Sequence, residues 1–227
     1  MVARLAQAPD KPTLGYWNIR GLASQIRYEL IYLGVDFSED KYEQGNAPDY
    51  DRSSWIDKKD TLGLRFPNLP YFIDGTARIT DPPAIMKFIA NKYGPELLGR
   101  TPAQIGRVEM VATIVSDLKG STTMPCYTQG DRVAITMNLL EKVKPLVNFL
   151  GDTKFLCGNN VTYVDFIFFE LCDFMNWISQ EMLYERNPSL KEYHSRVKSL
   201  PRLDEYYADD TRCIKRPFNN KVAKLNN

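Results

Sequence analysis

The spacing of apolar residues changes character once along this chain. Over roughly the first ninety residues, short apolar runs alternate with helical stretches. Residues 13–19 predict a first strand, with Gly15 inside it and Gly21 closing it. Residues 23–33 carry the helical period, with Ile26, Leu30 and Leu33 on one face, and Gly34 stops that helix. Residues 36–42 alternate as a second strand would, and 44–52 form a polar loop. Ser53 and Ser54 open a short helical piece holding Trp55 and Lys59. Residues 69–73 predict a short buried strand, Asp74-Gly75 a hairpin turn, and residues 77–80 the returning strand. Pro82-Pro83 then begins a helix running to about Tyr93, since proline is tolerated in a first turn. This order implies an α/β unit with a mixed four-stranded sheet.

Past Gly94-Pro95 no strand pattern recurs. Residues 103–118 predict an amphipathic helix with Ile105, Val108, Val111, Ala112 and Val115 on one side. Residues 136–150 predict another, with a kink at Pro145. Thr162-x-x-Asp165 before the apolar run 166–175 is a capping-box helix start. Asn187-Pro188-Ser189 opens a helix over 190–198, Pro201 starts a last one, and the tail from Cys213 has no period. The expected organisation is a loose extension over 1–12, an α/β domain over 13–95 and an all-α domain over 96–227.

Composition narrows the function. The chain has 227 residues, 29 basic against 28 acidic, for a net charge of +1. That balance points to neither nucleic acid nor a membrane surface. No apolar run is long enough to span a bilayer, and no G-x-G-x-x-G follows the first strand. Cys126, Cys157, Cys172 and Cys213 form no C-x-x-C pair, and His194 is the sole histidine. No metal site is expected; the cysteines read as reduced thiols of a cytoplasmic protein, and His194 as surface or half-buried.

Four strings, in order and at consistent intervals, then become specific. They are Leu14-Gly15-Tyr16-Trp17-Asn18-Ile19-Arg20-Gly21-Leu22, residues 47–55 (APDYDRSSW), Phe66-Pro67-Asn68-Leu69-Pro70-Tyr71, and Asn160-Val161-Thr162-Tyr163-Val164-Asp165-Phe166. Together they resemble a cytosolic glutathione transferase of the mu class, over about residues 13–218. The resemblance implies a thioredoxin-like domain, a helical domain, a homodimer, and no cofactor beyond reduced glutathione as co-substrate. It also implies a cis bond before Pro70. Read locally, Pro70 is an ordinary loop proline, since roughly one X-Pro bond in twenty is cis in folded proteins.

The implied chemistry is attack by the glutathione thiolate on a small hydrophobic electrophile. By resemblance, Tyr16 donates a hydrogen bond to the sulfur, which favours the charged form; read alone, Tyr16 is a strand aromatic. Trp17 and Leu22 would line the glutathione site, with Arg52, Trp55 and Lys59 at the glycyl end. Asn68 and Leu69 lead into Pro70, and the Leu69 main chain would pair with the cysteinyl amide as an added strand does. Asp117 corresponds to a residue lent by the neighbouring subunit, and Tyr127 acts on the electrophile side. Phe66 resembles an aromatic key docked into the other subunit; a plain core phenylalanine is the competing reading. The electrophile site would be shaped by residues 118–130 and the tail.

One string departs from the family. Where relatives carry Thr-Gln-Ser, this chain has Thr80-Asp81-Pro82-Pro83. The serine supplies a hydroxyl and a backbone N–H to the γ-glutamyl carboxylate; Pro82 has neither. Asp81 stands where the ligand carries a negative group, within reach of its ammonium. Two readings follow: a working transferase with weakened glutathione affinity or an altered thiol substrate, or a non-catalytic relative serving as a ligand carrier or as a subunit docked in a larger assembly.

Overall fold

The computed structural model describes residues 11–226. Residues 1–10 of the expected extension lie outside that range. Its last two residues belong to the fold instead: Lys11 Nζ sits 2.6 Å from Asp36, and the Pro12 carbonyl accepts from the Ser38 N–H at 2.9 Å.

Four strands form one sheet: β1 (Thr13–Trp17), β2 (Ser38–Tyr42), β3 (Tyr71–Asp74) and β4 (Ala77–Thr80). Their order is β2-β1-β3-β4, with β1 parallel to β2 and the other pairs antiparallel. This is the expected mixed sheet. The hairpin turn is shifted by one residue: Asp74 pairs with Ala77, so Gly75-Thr76 makes the turn, with Gly75 at φ +60°. Gly15 is required inside β1 because the Tyr71 ring lies across it; a Cβ there would fall 2.1 Å from that ring. The Leu69–Pro70 bond is cis, as are Ala47–Pro48 and Arg216–Pro217.

The helices are α1 (Ser24–Tyr32), α2 (Ser53–Ile56), α3 (Pro82–Tyr93), α4 (Pro102–Thr128), α5 (Arg132–Lys142), α6 (Lys144–Leu150), α7 (Tyr163–Ile178), α8 (Met182–Arg186), α9 (Pro188–Lys198) and α10 (Leu203–Ala208). Beyond α3 the described residues carry no named strand.

Three helices differ from their sequence patterns, each for a physical reason. α4 runs ten residues past the expected end at 118, through Pro125. Gly120 and three hydroxyl residues weaken its propensity there, but Val115, Leu118, Thr122 and Cys126 stay buried, and packing overrides propensity. The single kinked helix expected over 136–150 is two, broken at Val143. Pro145 lacks the N–H that would continue α5 and instead sits in the first turn of α6. α5 also begins early, because Asp131 caps it by accepting from the Ala134 N–H at 3.0 Å. α1 is buried from Ser24 to Ile31, on every side rather than on one face. α3 and α7 both pack on it, with the sheet unit on one side and the helical unit on the other.

α7 is the centre of the helical unit, buried along nearly its whole length. Its predicted capping box is present, and Asp165 also accepts from the Leu156 N–H at 2.9 Å and the Tyr193 hydroxyl at 3.0 Å. His194 is half-buried and stacks on Phe169 at 4.4 Å; burial pulls its pKa down to about 4, leaving it neutral. All four cysteines are free thiols. Among the described residues, no helix is long and apolar enough to cross a membrane.

Burying α1 on all sides encloses Glu29. Its side chain is fully buried, neither carboxyl oxygen has a hydrogen-bond partner, and burial raises its pKa well above the usual value. Below about pH 4.3 it is protonated folded or unfolded. Above that, the unfolded chain releases a proton that the folded chain keeps, so stability falls as pH rises, by up to about 1.4 kcal/mol per pH unit. The loss ends once the folded carboxyl itself ionises. Glu29→Gln should abolish this slope and exceed the wild type in urea resistance at neutral pH, the gap closing toward about pH 4.3.

Candidate active site

Tyr16 projects from β1 and is only 6% exposed. The loop after β1 doubles back so that the Leu22 N–H donates to the Tyr16 hydroxyl oxygen at 3.1 Å. Gly21 permits the approach: it holds φ +45°, and a Cβ there would lie 2.5 Å from that oxygen. Burial pushes the Tyr16 pKa up to about 12, with the Leu22 N–H opposing. The phenol is therefore neutral at physiological pH. Its oxygen already accepts one hydrogen bond and its O–H remains to be donated.

That hydroxyl borders a cavity of about 360 Å³. Trp17, Leu22 and Leu69 line it from the sheet side, and Lys119, Thr123 and Tyr127 from α4. Tyr127 accepts from the Asn220 N–H at 3.0 Å, and burial raises its pKa. Glu170, Leu171 and Phe174 of α7 form the floor, and Phe218, Asn219 and Asn220 of the tail close one wall. The tail is pinned to the loop beside Tyr16: the Arg20 and Gly21 N–H groups donate to the Pro217 and Phe218 carbonyls at 2.9 and 3.0 Å.

Below β1 the other predicted residues are spread more widely. Trp55 is buried, stacked on Tyr71 at 6.0 Å and edge-on to Tyr42 at 5.3 Å. Arg52 is exposed just before α2, and Lys59 is half-buried after it. Asn68 is exposed and its Oδ1 accepts from the Leu69 N–H at 2.9 Å. With that N–H engaged, the Leu69 carbonyl is the main-chain group left for a ligand amide. Phe66 is 75% exposed, which removes the core reading.

A second hollow adjoins the first through Leu22 and Lys119, and Asp81, Pro82 and Asp117 line it. Here the start of α3 is closed to anions. Pro82 and Pro83 have no N–H, Ala84 N–H donates to Asp81 Oδ1 at 3.4 Å, and Ile85 N–H donates to the Asp81 carbonyl at 2.9 Å. Asp81 itself is held at φ +80°, a left-handed conformation unusual outside glycine.

Comparison with known proteins gives this geometry a family. A model of the glutathione S-transferase N-terminal domain matches residues 12–91, and one of the C-terminal domain matches residues 123–210. Glutathione S-transferase B of Cavia porcellus is 38% identical over 218 residues, covering 95% of this chain and 99% of that relative. The chain belongs to the glutathione S-transferase family. Glutathione S-transferase Mu 2 of Mus musculus is 37% identical over 217 residues, 94% of this chain and 98% of that relative. The crystal structure of the glutathione S-transferase Blo t 8 superposes with a TM-score of 0.84 at 28% identity, covering 95% of this chain and all of that one.

Within this member of the glutathione S-transferase family, Tyr16, Trp17, Leu22, Leu69 and Tyr127 share one cavity, and Asp81 and Asp117 share its neighbour. Arg52, Trp55, Lys59, Asn68 and Phe66 line neither. Sequence reasoning missed Lys119 and Glu170. Their positions mark them only as helix residues; nothing in the sequence says that either looks into a cavity.

Replacing Asp81-Pro82 by Gln-Ser restores one N–H, one hydroxyl and one amide. With charge-assisted hydrogen bonds worth about 1.5–3 kcal/mol each, calorimetric titration should find the double variant binding glutathione about tenfold or more tighter than the wild type. Equal affinities would show that the usual clamp adds nothing here.

Proposed function

We propose that this chain is a glutathione transferase that joins the sulfur of reduced glutathione to small hydrophobic electrophiles. The observation that carries this is Tyr16: a buried, neutral phenol, fixed by the Leu22 N–H, with its O–H left to donate beside a largely apolar cavity. The cysteinyl thiol of glutathione releases its proton to solvent and the thiolate accepts from Tyr16. A hydrogen bond to a charged partner of about 1.5–3 kcal/mol corresponds to a thiol pKa lowered by about one to two units. The thiolate then attacks; with an activated aryl halide, sulfur bonds to the ring carbon bearing the halogen, and the halide then leaves with the carbon–halogen electron pair.

Trp17, Leu22, Arg52, Trp55, Lys59, Asn68, Leu69 and Pro70 serve the peptide, with Asp81 meeting its ammonium. Tyr127 serves the electrophile. Asp117 is offered to a second copy in a homodimer, for which Phe66, a large apolar side chain standing in solvent, is the natural key. A cytoplasmic location fits the four free thiols. The reading as a non-catalytic carrier or scaffold subunit has one observation behind it, the closed start of α3.

Tyr16→Phe keeps the ring and removes the donor. Thiolate absorbance of bound glutathione, titrated against pH, should show the pKa rising by about one to two units, and kcat/KM toward a dinitrohalobenzene at neutral pH should fall about ten- to a hundredfold. A wild type without conjugating activity would favour the carrier reading. Phe66→Ser should weaken self-association about tenfold or more by analytical ultracentrifugation, as loss of a buried aromatic anchor does.

A further inference from the structure

Among the described residues lining the cavity beside Tyr16, Lys119 is the only cationic side chain. It stands on α4 between Leu22 and Tyr127 and is half-buried. Its Nζ donates to Oε1 of the buried Gln25 at 2.6 Å. An ammonium has three donors, so two remain. Among the described residues no carboxylate lies within ion-pairing distance of it.

Lys119 lines both the Tyr16 cavity and the hollow at Asp81, and its partner Gln25 borders the hollow. Burial lowers its pKa to about 8, and the one carboxylate felt in opposition is Glu170, on the cavity floor. Asp81 and Asp117 line the adjoining hollow with it, and neither forms an ion pair with it. Glu170 does not neutralise it: its two oxygens accept from Arg20 Nε at 3.1 Å, Arg20 Nη2 at 2.6 Å and the Tyr28 hydroxyl at 2.7 Å. The other ionisable groups lining the Tyr16 cavity are the neutral phenols Tyr16 and Tyr127, while Asp81, Asp117, Glu109, Lys87 and Tyr163 line the adjoining hollow. In the adjoining hollow Lys87 is spent on Glu109 at 2.6 Å. The result is a cation with two free donors between apolar walls, where a charge interaction is screened least.

We propose that Lys119 sets electrophile specificity, holding a carboxylate on the electrophile while the reacting carbon faces Tyr16. This rests on the transferase reading above. The favoured substrate class is an apolar electrophile with one anionic oxygen group.

The test is a pair of electrophiles differing in charge, a chlorodinitrobenzoate and the matching chlorodinitrobenzamide, each rate divided by its uncatalysed rate. Both meet the same thiolate, so thiol ionisation cancels in their ratio. Wild type should favour the benzoate about tenfold or more in kcat/KM. That preference should be full well below pH 8 and fade as pH rises past it, when Lys119 loses its proton. Lys119→Met should bring the ratio close to one at every pH. Lys119→Arg should keep the preference and carry it to high pH, because guanidinium does not deprotonate. No preference in wild type, or one unchanged in Lys119→Met, would overturn the proposal. Turnover of neither compound would instead sink the transferase reading. Lys119 would then be judged by equilibrium binding of halogen-free dinitrobenzoate against dinitrobenzamide. Tighter binding of the acid, lost in Lys119→Met, supports it; equal binding overturns it.

Discussion

The buried guanidinium of Arg20 holds this structure together where it matters. Arg20 Nη2 meets Glu170 and Nη1 meets Asp173, both at 2.6 Å, and the guanidinium lies 4.3 Å from the centre of the Phe218 ring. Three parts of the chain are joined there: the loop after β1, the central helix α7 and the tail. Burial pushes the Asp173 carboxyl up, yet Arg20 beside it holds it below the usual carboxylate range. Breaking such a pair by removing one partner costs about 3–5 kcal/mol, because the remaining charge is stranded. The neighbouring residues inherit this rigidity. Gly21 and Leu22 follow Arg20 directly, and the Leu22 N–H is what orients Tyr16. The sulfur end of the site is thus anchored by an ion cluster in the helical unit.

The two ends of the glutathione site are built on different logic. On the proposed reading the sulfur end would depend on one phenol, one glycine and one N–H. The γ-glutamyl end would fall at the start of α3, where two prolines and the Asp81 cap leave no N–H free. Pro82-Pro83 pre-forms the first turn of α3 and so favours the fold while closing an anion site. On the proposed reading, fold and ligand affinity would respond in opposite directions to the same two residues.

Much of this was legible in the sequence. The succession of strands and helices in the first domain, the α3 start and the α7 capping box follow from local rules, because turn residues, prolines and caps act over a few positions. Tyr16 and the cis bond at Pro70 needed the resemblance, since locally Tyr16 is any strand aromatic and Pro70 any loop proline. What stayed hidden was non-local. α1 reads as amphipathic, yet Gln25, Arg27 and Glu29 are buried because a second layer covers their face. The helical signal of α4 fades at 118, while its last turns carry Lys119, Thr123 and Tyr127 into the cavity. The tail has no period at all; its order comes from partners far away, such as Gln44 and Asn46 binding Lys221 Nζ at 2.7 and 2.8 Å.

That tail has a temporal side. Residues 217–225 are made after every helix described, and domains fold from the N-terminal end as synthesis proceeds. The Phe218–Asn220 wall, the N–H that meets Tyr127 and the carbonyls that meet Arg20 and Gly21 arrive only then. Without that segment, sheet and helices would leave an open trough beside Tyr16. The shape of the cavity, and with it any power to discriminate between substrates, therefore depends on the docking of the last stretch of chain to be made.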